Sequence, residues 1–490
     1  MIPESSNLLL LMPEFVLAGL ALVVFASDLI IPEGKKEWVG RLAVMGLIGL
    51  LCVTIFSVMG VNEYVYNDFL LVDHYSFVFK IIFITVGILT ILISEEFVKE
   101  NLTSQGEYYG LLLLAILGMN MLIQSQEFLT AYISLELLSF CLYVLVGYSK
   151  FNPKSNEAAI KYIIFGTFSS AIFLYGLSMV YSIVGSTQYS DISGTLAASN
   201  AMDPVAILGI ALIMIGIGFK IGIVPFHAWI PDVYEGAPTP VTAYLAIGAK
   251  IAAFAFLARV VIGVMLPAEE LWENWQMILA ISAVATMLVG NGIAIVQTKV
   301  KRMLAYSSIG HSGVLLSAVV VMGSTNGIVI ESLGYYLIGY AVTSFAVFSA
   351  ITAVTYRNGV ELIKDFAGLS DQKPLLAASI AIGLFSLAGL PLFVGFTIKF
   401  YLFSSIAIGG YLWLAGIAVF ASLISLYYYL IMIKSMYVDT ASSEVTHNNI
   451  IVKWPMKTVI LVSIIATIVL GIYPEPLVNQ INEISNLFTP

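Results

Sequence analysis

Lys220, Lys250, Lys399 and Glu136 each stand in an apolar run, where a charge is costly. Glu136 lies within Tyr132-Ile133-Ser134-Leu135-Glu136-Leu137, and Lys250 has Ala and Ile around it. Lys220 follows Ile215-Gly216-Ile217-Gly218-Phe219 and precedes Pro225, whereas Lys399 comes eight residues after Pro391. A lysine at the centre of a hydrocarbon layer costs about 2.5–3.5 kcal/mol on insertion scales. Such charges either hold helices together as ion pairs or take up and release protons. Three deep lysines and one similarly deep glutamate cannot all pair, so at least one lysine is expected to titrate. Burial opposes the charged amine and a nearby carboxylate favours it. Moving or neutralising that carboxylate would toggle the lysine between holding and releasing a proton. Lysines in series under the control of a glutamate are the parts of a proton relay.

Other residues leave two roles open. His311, in Ser307-Ser308-Ile309-Gly310-His311-Ser312, is inexpensive to bury when neutral and can shuttle protons, but a hydrogen-bonded packing role fits it equally. Lys161 lies about one turn from a span start, where it either snorkels to the headgroups or joins the relay. Lys80 and Arg259 lie within about two turns of span ends and are expected to snorkel. His227, Asp232 and Glu235 flank a proline-rich turn, as caps and turn residues or as a route for proton uptake. Cys52 and Cys141 have no second Cys or His at ligand spacing, so no disulfide framework, zinc site or iron–sulfur cluster is expected in this chain. No phosphate-binding glycine loop follows a strand, and the Gly-x-Gly pairs fall where small residues serve helix packing.

The elements that must position these groups are set by composition. Of the 490 residues, 60% are hydrophobic and 10% charged, against about 25% charged in a soluble domain, and mean hydropathy is +0.97. Apolar blocks of roughly 20 residues or more are long enough to cross a ~30 Å hydrocarbon layer as helices. The ten-residue alternation of a membrane barrel is absent. Fourteen spans are expected, at about 7–31, 40–60, 73–94, 109–126, 128–148, 157–184, 204–226, 238–264, 275–297, 303–322, 329–356, 374–407, 411–436 and 457–473. The first, from Asn7 to Ile31, lacks a basic leader and a cleavage site and is expected to be retained.

If the loop after the first span is cytoplasmic and loops alternate, the cytoplasmic side carries Lys35, Lys36, Arg41, Lys99, Lys150, Lys154, Lys299, Lys301, Arg302, Arg357, Lys364, Lys373, Lys434, Lys453 and Lys457. That is fifteen of the 21 Lys and Arg residues, and the opposite loops hold none. The bias fits the positive-inside rule and places both termini outside. The net charge of -9 argues against nucleic acid as a partner. The tail leaves no room for a soluble catalytic domain, so chemistry is expected within or at the edge of the bilayer.

Spans 7 and 12 are glycine-rich and contain proline, and span 12 is too long for one straight crossing. Proline removes a backbone hydrogen bond, and freed carbonyls are tolerated only beside protein or water. Broken helices at corresponding places point to an inverted-repeat transporter with its ion path near midplane. The expected fold is therefore all-α and polytopic, with a three-helix segment over 1–108, repeats over 109–265 and 275–437, and a final helix and tail over 457–490. Lys precedes Pro in span 7 and follows it in span 12, so the symmetry is suggestive only.

The run from Gly218-Phe219-Lys220 through Pro225-Phe226-His227-Ala228-Trp229-Ile230-Pro231-Asp232-Val233-Tyr234-Glu235-Gly236-Ala237-Pro238-Thr239-Pro240 is highly specific. It resembles the antiporter-like subunits of proton-pumping NADH:quinone oxidoreductase, respiratory complex I, and among them the N-type. Ser134-Leu135-Glu136-Leu137, Lys301-Arg302-Met303-Leu304-Ala305-Tyr306-Ser307-Ser308-Ile309-Gly310-His311, and Gly389-Leu390-Pro391 with Gly395-Phe396-Thr397-Ile398-Lys399 extend the likeness over about 108–437. The resemblance implies two inverted five-helix repeats with broken helices 7 and 12, a controlling Glu136, and proton carriers Lys220, Lys250 and Lys399. The Asp-Val-Tyr-Glu-Gly wording favours the N-type. Lys at 399 disfavours the M-type, and the lack of a long lateral helix disfavours the L-type. It also implies NADH, FMN, iron–sulfur clusters and quinone in partner subunits, other membrane and hydrophilic subunits as partners, and the bacterial cytoplasmic membrane as the location. A subunit of a multisubunit sodium/proton antiporter is the alternative, and a spacer whose charges merely lock helices is a third possibility.

Overall fold

The computed structural model describes residues 8–102, 104–198, 203–324, 327–358, 361–440, 450, 452–476 and 478. Leu8–Leu11 form a 3-10 turn that runs into α1 (Met12–Ile30), followed by α2 (Glu37–Val58). A two-stranded antiparallel hairpin, β1 (Glu63–Val65) and β2 (Leu70–Val72), pairs Glu63 with Val72 and turns through Tyr66-Asn67-Asp68. It lies between the second and third expected spans, and β-branched and aromatic residues flanking an Asn-Asp turn account for it.

Next come α3 (His74–Asn101), α4 (Gln105–Gln124), α5 (Phe128–Val146), α6 (Pro153–Val184), α7 (Tyr189–Ala198) and α8 (Pro204–Ile221). Their starts are built from side-chain caps: Asp73 accepts Ser76 N, Glu127 accepts Thr130 N, and Asn152 accepts Lys154 N ahead of Pro153. These satisfy amides that the first turn leaves orphaned. After α9 (Trp229–Gly236), one span from Thr239 to Met265 is assembled from α10 (Thr239–Tyr244), a π turn (Leu245–Ala249), α11 (Lys250–Val260) and a second π turn (Val261–Met265). The rest is α12 (Glu269–Ala294), α13 (Val300–Val320), α14 (Ile328–Asn358), α15 (Leu369–Gln372), α16 (Pro374–Ala388), α17 (Val394–Ile408), α18 (Leu412–Tyr437) and α19 (Trp454–Ile472).

Among the described residues, 13 spans are long and apolar enough to cross a membrane. The remaining expected span, the twelfth at 374–407, is α16 and α17 in succession. The chain breaks at Gly389, which caps α16 with φ +89°, and resumes at Val394. Span 7 breaks as well, but earlier than expected. The helix ends at Ile221, Gly222 takes φ +72°, and α9 begins at Trp229, so Pro225 lies in the gap and not inside a helix.

The chain divides into two compact units. One comprises Met1–Ile91, Phe97–Ile221 and Gly248–Trp275; the other comprises Leu92–Glu96, Gly222–Ile247 and Gln276–Pro490. In the first, α4 packs on α1 and α5, and α6 packs along α8. In the second, α14 lies against α10, α13, α16, α17 and α19, and α13 and α14 are apolar and buried along nearly their whole length.

Two basic residues expected to snorkel are instead buried and paired. Lys80 is 0% exposed with Nζ 3.0 Å from Glu14 Oε1, and Arg259 holds both oxygens of Asp73 at 2.9 and 3.0 Å. A carboxylate from elsewhere in the chain pairs with each cation inside the protein, so neither has to reach the headgroups.

Candidate functional site

In the first unit the site grows from the contact between α6 and α8. A Cβ at Gly209 would lie 2.8 Å from Gly176 O, and one at Gly176 would lie 2.6 Å from Gly209 O. Only glycine lets the two backbones approach this closely, as small residues do generally between membrane helices. Farther along the same contact, Ser169 donates to Gly216 O at 3.2 Å. This packing delivers Ser170 of α6 and Lys220, the penultimate residue of α8, to Glu136 of α5.

Lys220 does not touch Glu136 directly. Its ammonium donates to Ser139 Oγ at 2.6 Å, while Glu136 Oε1 stands 3.9 Å away. The Ser139 hydroxyl donates to Leu135 O at 2.6 Å, which leaves its oxygen free to accept. Ser170 donates to the same Glu136 oxygen, Oε1. The carboxylate is thus near enough to bias the lysine's charge and is held by a separate hydroxyl. Lys250 opens α11 just after the π turn Leu245–Ala249 and is buried. Its helix packs on α4 and α8, which places it in the same unit as Glu136 and Lys220. Single π turns inside α-helices occur often at functional sites.

In the second unit Lys399, on α17, is buried against the break of span 12. Its Nζ donates to Leu387 O at 2.7 Å and Ala388 O at 3.2 Å. These are the last carbonyls of α16, unpaired within their helix and at its negative end. Among the described residues no carboxylate lies within ion-pair distance of this ammonium. A locking ion pair therefore does not account for Lys399.

His311 is buried on α13 within a chain of hydroxyls. Its Nδ1 lies 2.7 Å from Tyr336 OH, its Nε2 lies 3.5 Å from Tyr429 OH, and Tyr429 bonds Ser307. Next to it, Tyr340 donates to Ser308 Oγ at 3.3 Å, and Tyr428 donates to Asn291 Oδ1 at 2.9 Å. Groups that both donate and accept can pass a proton along such a chain.

Lys161 is not brought to this set. Its Nζ lies 2.7 Å from Glu157 one turn earlier, with 38% of its side chain exposed. Ser170, nine residues or about 13 Å farther along the same helix, is the α6 residue that reaches Glu136. At the expected cytoplasmic turn, Arg302 joins Asp232 at 2.7 Å and Glu235 at 3.0 Å, Lys299 also joins Glu235, and Lys301 donates to Ala237 O at 2.8 Å. Partial burial pushes the Glu235 carboxyl up, but hydrogen bonds from Lys299 and Arg302 outweigh it and hold the group below its ordinary value. Sequence reasoning missed Ser139, Ser170, Tyr336 and Tyr429. Ser139 was detectable, three residues after Glu136 on one helical face, whereas the others depend on which helices meet.

A family described as NADH:quinone oxidoreductase/Mrp antiporter, transmembrane, matches residues 125–425. NADH-quinone oxidoreductase subunit N of Moorella thermoacetica is 39% identical over 99% of this chain and 100% of its own length. Among solved structures, a chain of respiratory complex I from Thermus thermophilus superposes with TM-score 0.79 at 27% identity, covering 95% of this chain and 98% of that one. A chain of an archaeal membrane-bound sulfane sulfur reductase gives TM-score 0.85 at 25% identity over 99% and 97%.

Proposed function

Because the chain belongs to the NADH:quinone oxidoreductase/Mrp antiporter transmembrane family, we propose that it is the N-type, proton-translocating membrane subunit of a bacterial NADH:quinone oxidoreductase. Lys220 carries the proposal. This buried ammonium is bonded to a hydroxyl, and a separately held carboxylate stands 3.9 Å off, where its movement or neutralisation changes the lysine's hold on a proton.

Protons are taken up from the cytoplasm, load Lys220 under the control of Glu136, pass by Lys250, the His311 chain and bound water, and leave by Lys399. Quinone reduction elsewhere in the complex supplies the energy. NADH, FMN, iron–sulfur clusters and quinone belong to partner subunits, and this chain contributes helices and titratable groups. The chain lies in the cytoplasmic membrane with both termini outside, and residues 109–265 and 275–437 form the two inverted repeats. Lys161, on an exposed face of α6, has at most an accessory role at the cytoplasmic surface.

Sealed inverted vesicles carrying Lys220→Ala in an assembled complex are expected to oxidise donor with a lower proton-to-electron ratio than wild type. Normal stoichiometry would defeat the proposal. The family's description also names the Mrp antiporters, so a sodium/proton antiporter subunit is the competing assignment. Affinity purification separates the two, because iron–sulfur and flavin subunits accompany this chain only in the first.

A further inference from the structure

The N-terminal helices bury a second set of charges that the relay does not use. Glu14, in the first turn of α1, lies 3.0 Å from Lys80 of α3, and the two side chains are 5% and 0% exposed. Gln124, the last residue of α4, donates from Nε2 to Glu14 Oε1 and to Asn120 O, both at 2.9 Å. Lys80 lies six residues into α3, about 9 Å along its axis. The start of α1, the start of α3 and the end of α4 thus meet, as alternating spans require of elements at one membrane face.

A second buried pair in the same unit provides a contrast. Asp73 takes Arg259 through both oxygens and also accepts Ser76 N at 2.8 Å, while the guanidinium sits 4.9 Å over the Tyr75 ring. Protein groups satisfy both carboxylate oxygens there, as a structural clamp requires. Around Glu14 they do not. Glu14 Oε2, Gln124 Oε1 and both amide atoms of Asn120 are buried without a hydrogen-bond partner among the described residues, and Lys80 Nζ has its ion pair but no hydrogen bond. An unsatisfied buried polar atom costs about 1–3 kcal/mol, and ordered water meets such groups where protein does not. Five such atoms, on Glu14, on the two side chains paired with it and on Asn120 one turn before Gln124, mark a place for water.

We propose that Glu14, Lys80, Asn120 and Gln124 form a hydrated proton-binding site, whose ligand is water and the protons it carries. A hydronium ion gives its proton to Glu14 Oε2 and becomes water, leaving a neutral carboxyl beside the Lys80 ammonium. The reverse transfer restores the ion pair. Gln124 occupies Oε1, so Oε2 is the oxygen that exchanges. α4 connects this site to the relay. A Cβ at its Gly118 would lie 2.9 Å from Leu138 N of the helix bearing Glu136, and Asn120 projects about 200° around the axis from Gly118. The site rests on the assignment of proton translocation and adds a proton-holding group across α4 from Glu136.

The test uses the intact complex. A cryo-EM map that resolves waters is expected to show density bonded to Glu14 Oε2 and Asn120. Redox-induced infrared difference spectra are expected to carry a protonated-carboxyl band that Glu14→Gln removes, with a lower proton-to-electron ratio. A dry cluster, or a Glu14→Gln complex with the wild-type spectrum and ratio, overturns the site. A merely structural pair would leave the carboxyl band unmoved. If Glu14→Gln does not assemble, Asn120→Leu, which fills the space and leaves both charges, is expected to lose the density and the band together; retention of the band counts against the site. Lys220→Ala is the control. If it stops pumping while Glu14→Gln pumps and absorbs like wild type, only the site fails. If Lys220→Ala itself pumps normally, translocation by this chain fails, whatever the density at Glu14 shows.

Discussion

At the scale of single residues, Lys220 and Glu136 each have a hydroxyl of their own. Ser139 bonds the Lys220 ammonium and Ser170 bonds Glu136, so neither charged partner depends on the other for its first hydrogen bond. Hydrogen bonds to charged groups contribute about 1.5–3 kcal/mol, enough to change a proton-transfer rate about tenfold or more. Ser139→Ala is therefore expected to slow proton uptake in vesicles about tenfold while the complex still assembles. A rate equal to wild type would show that the hydroxyl does not carry the lysine. Arg259 makes a different prediction. Arg259→Ala leaves a buried Asp73 without its partner, which costs about 3–5 kcal/mol, and the amount of folded chain in the membrane should fall. The sequence marked Lys220 and Glu136 by their cost, but it placed Lys80 and Arg259 at the headgroups. Distance from a span end says nothing about acids on other helices, and Glu14 and Asp73 are what retain these two cations.

At the scale of elements, the interruptions in spans 7 and 12 do the positioning. Proline and glycine announced both, and the long 374–407 run showed that span 12 could not be straight. The sequence did not reveal that the freed carbonyls of α16 would themselves hold Lys399. Gly389 makes this possible with φ +89° and with Lys399 Cδ 3.0 Å from where a Cβ would sit. Gly389→Ala combines left-handed strain of about 1–2 kcal/mol with displacement of the lysine. Both a lower melting temperature in detergent and impaired pumping are expected. A second element-scale prediction concerns α9, bound to the start of α13 through Glu235, Lys299 and Arg302. A carboxyl held below its ordinary value contributes stability that is complete above about pH 4.3. That contribution is lost as pH falls through the lowered native value. Deuterium uptake across Trp229–Gly236 should therefore rise on acidification below that point and stay level between about pH 6 and 8.

At the scale of the whole molecule, hydropathy located the spans, and proline, glycine and run length the broken twelfth, since both depend only on local sequence. The pairing of helices was not legible. It rests on close approaches such as Gly176 to Gly209 and on which polar groups those approaches bring together. Glu136, Lys220 and Lys250 fall in one compact unit and His311 and Lys399 in the other, so the proposed series draws on residues of both. The most direct measurement is the proton-to-electron ratio of sealed vesicles carrying Lys399→Met in an assembled complex. The substitution removes the charge and keeps an unbranched side chain. A relay ending at Lys399 predicts a lower ratio at undiminished assembly and donor oxidation. An unchanged ratio, or loss of assembly with pumping intact in the complexes that remain, would contradict it.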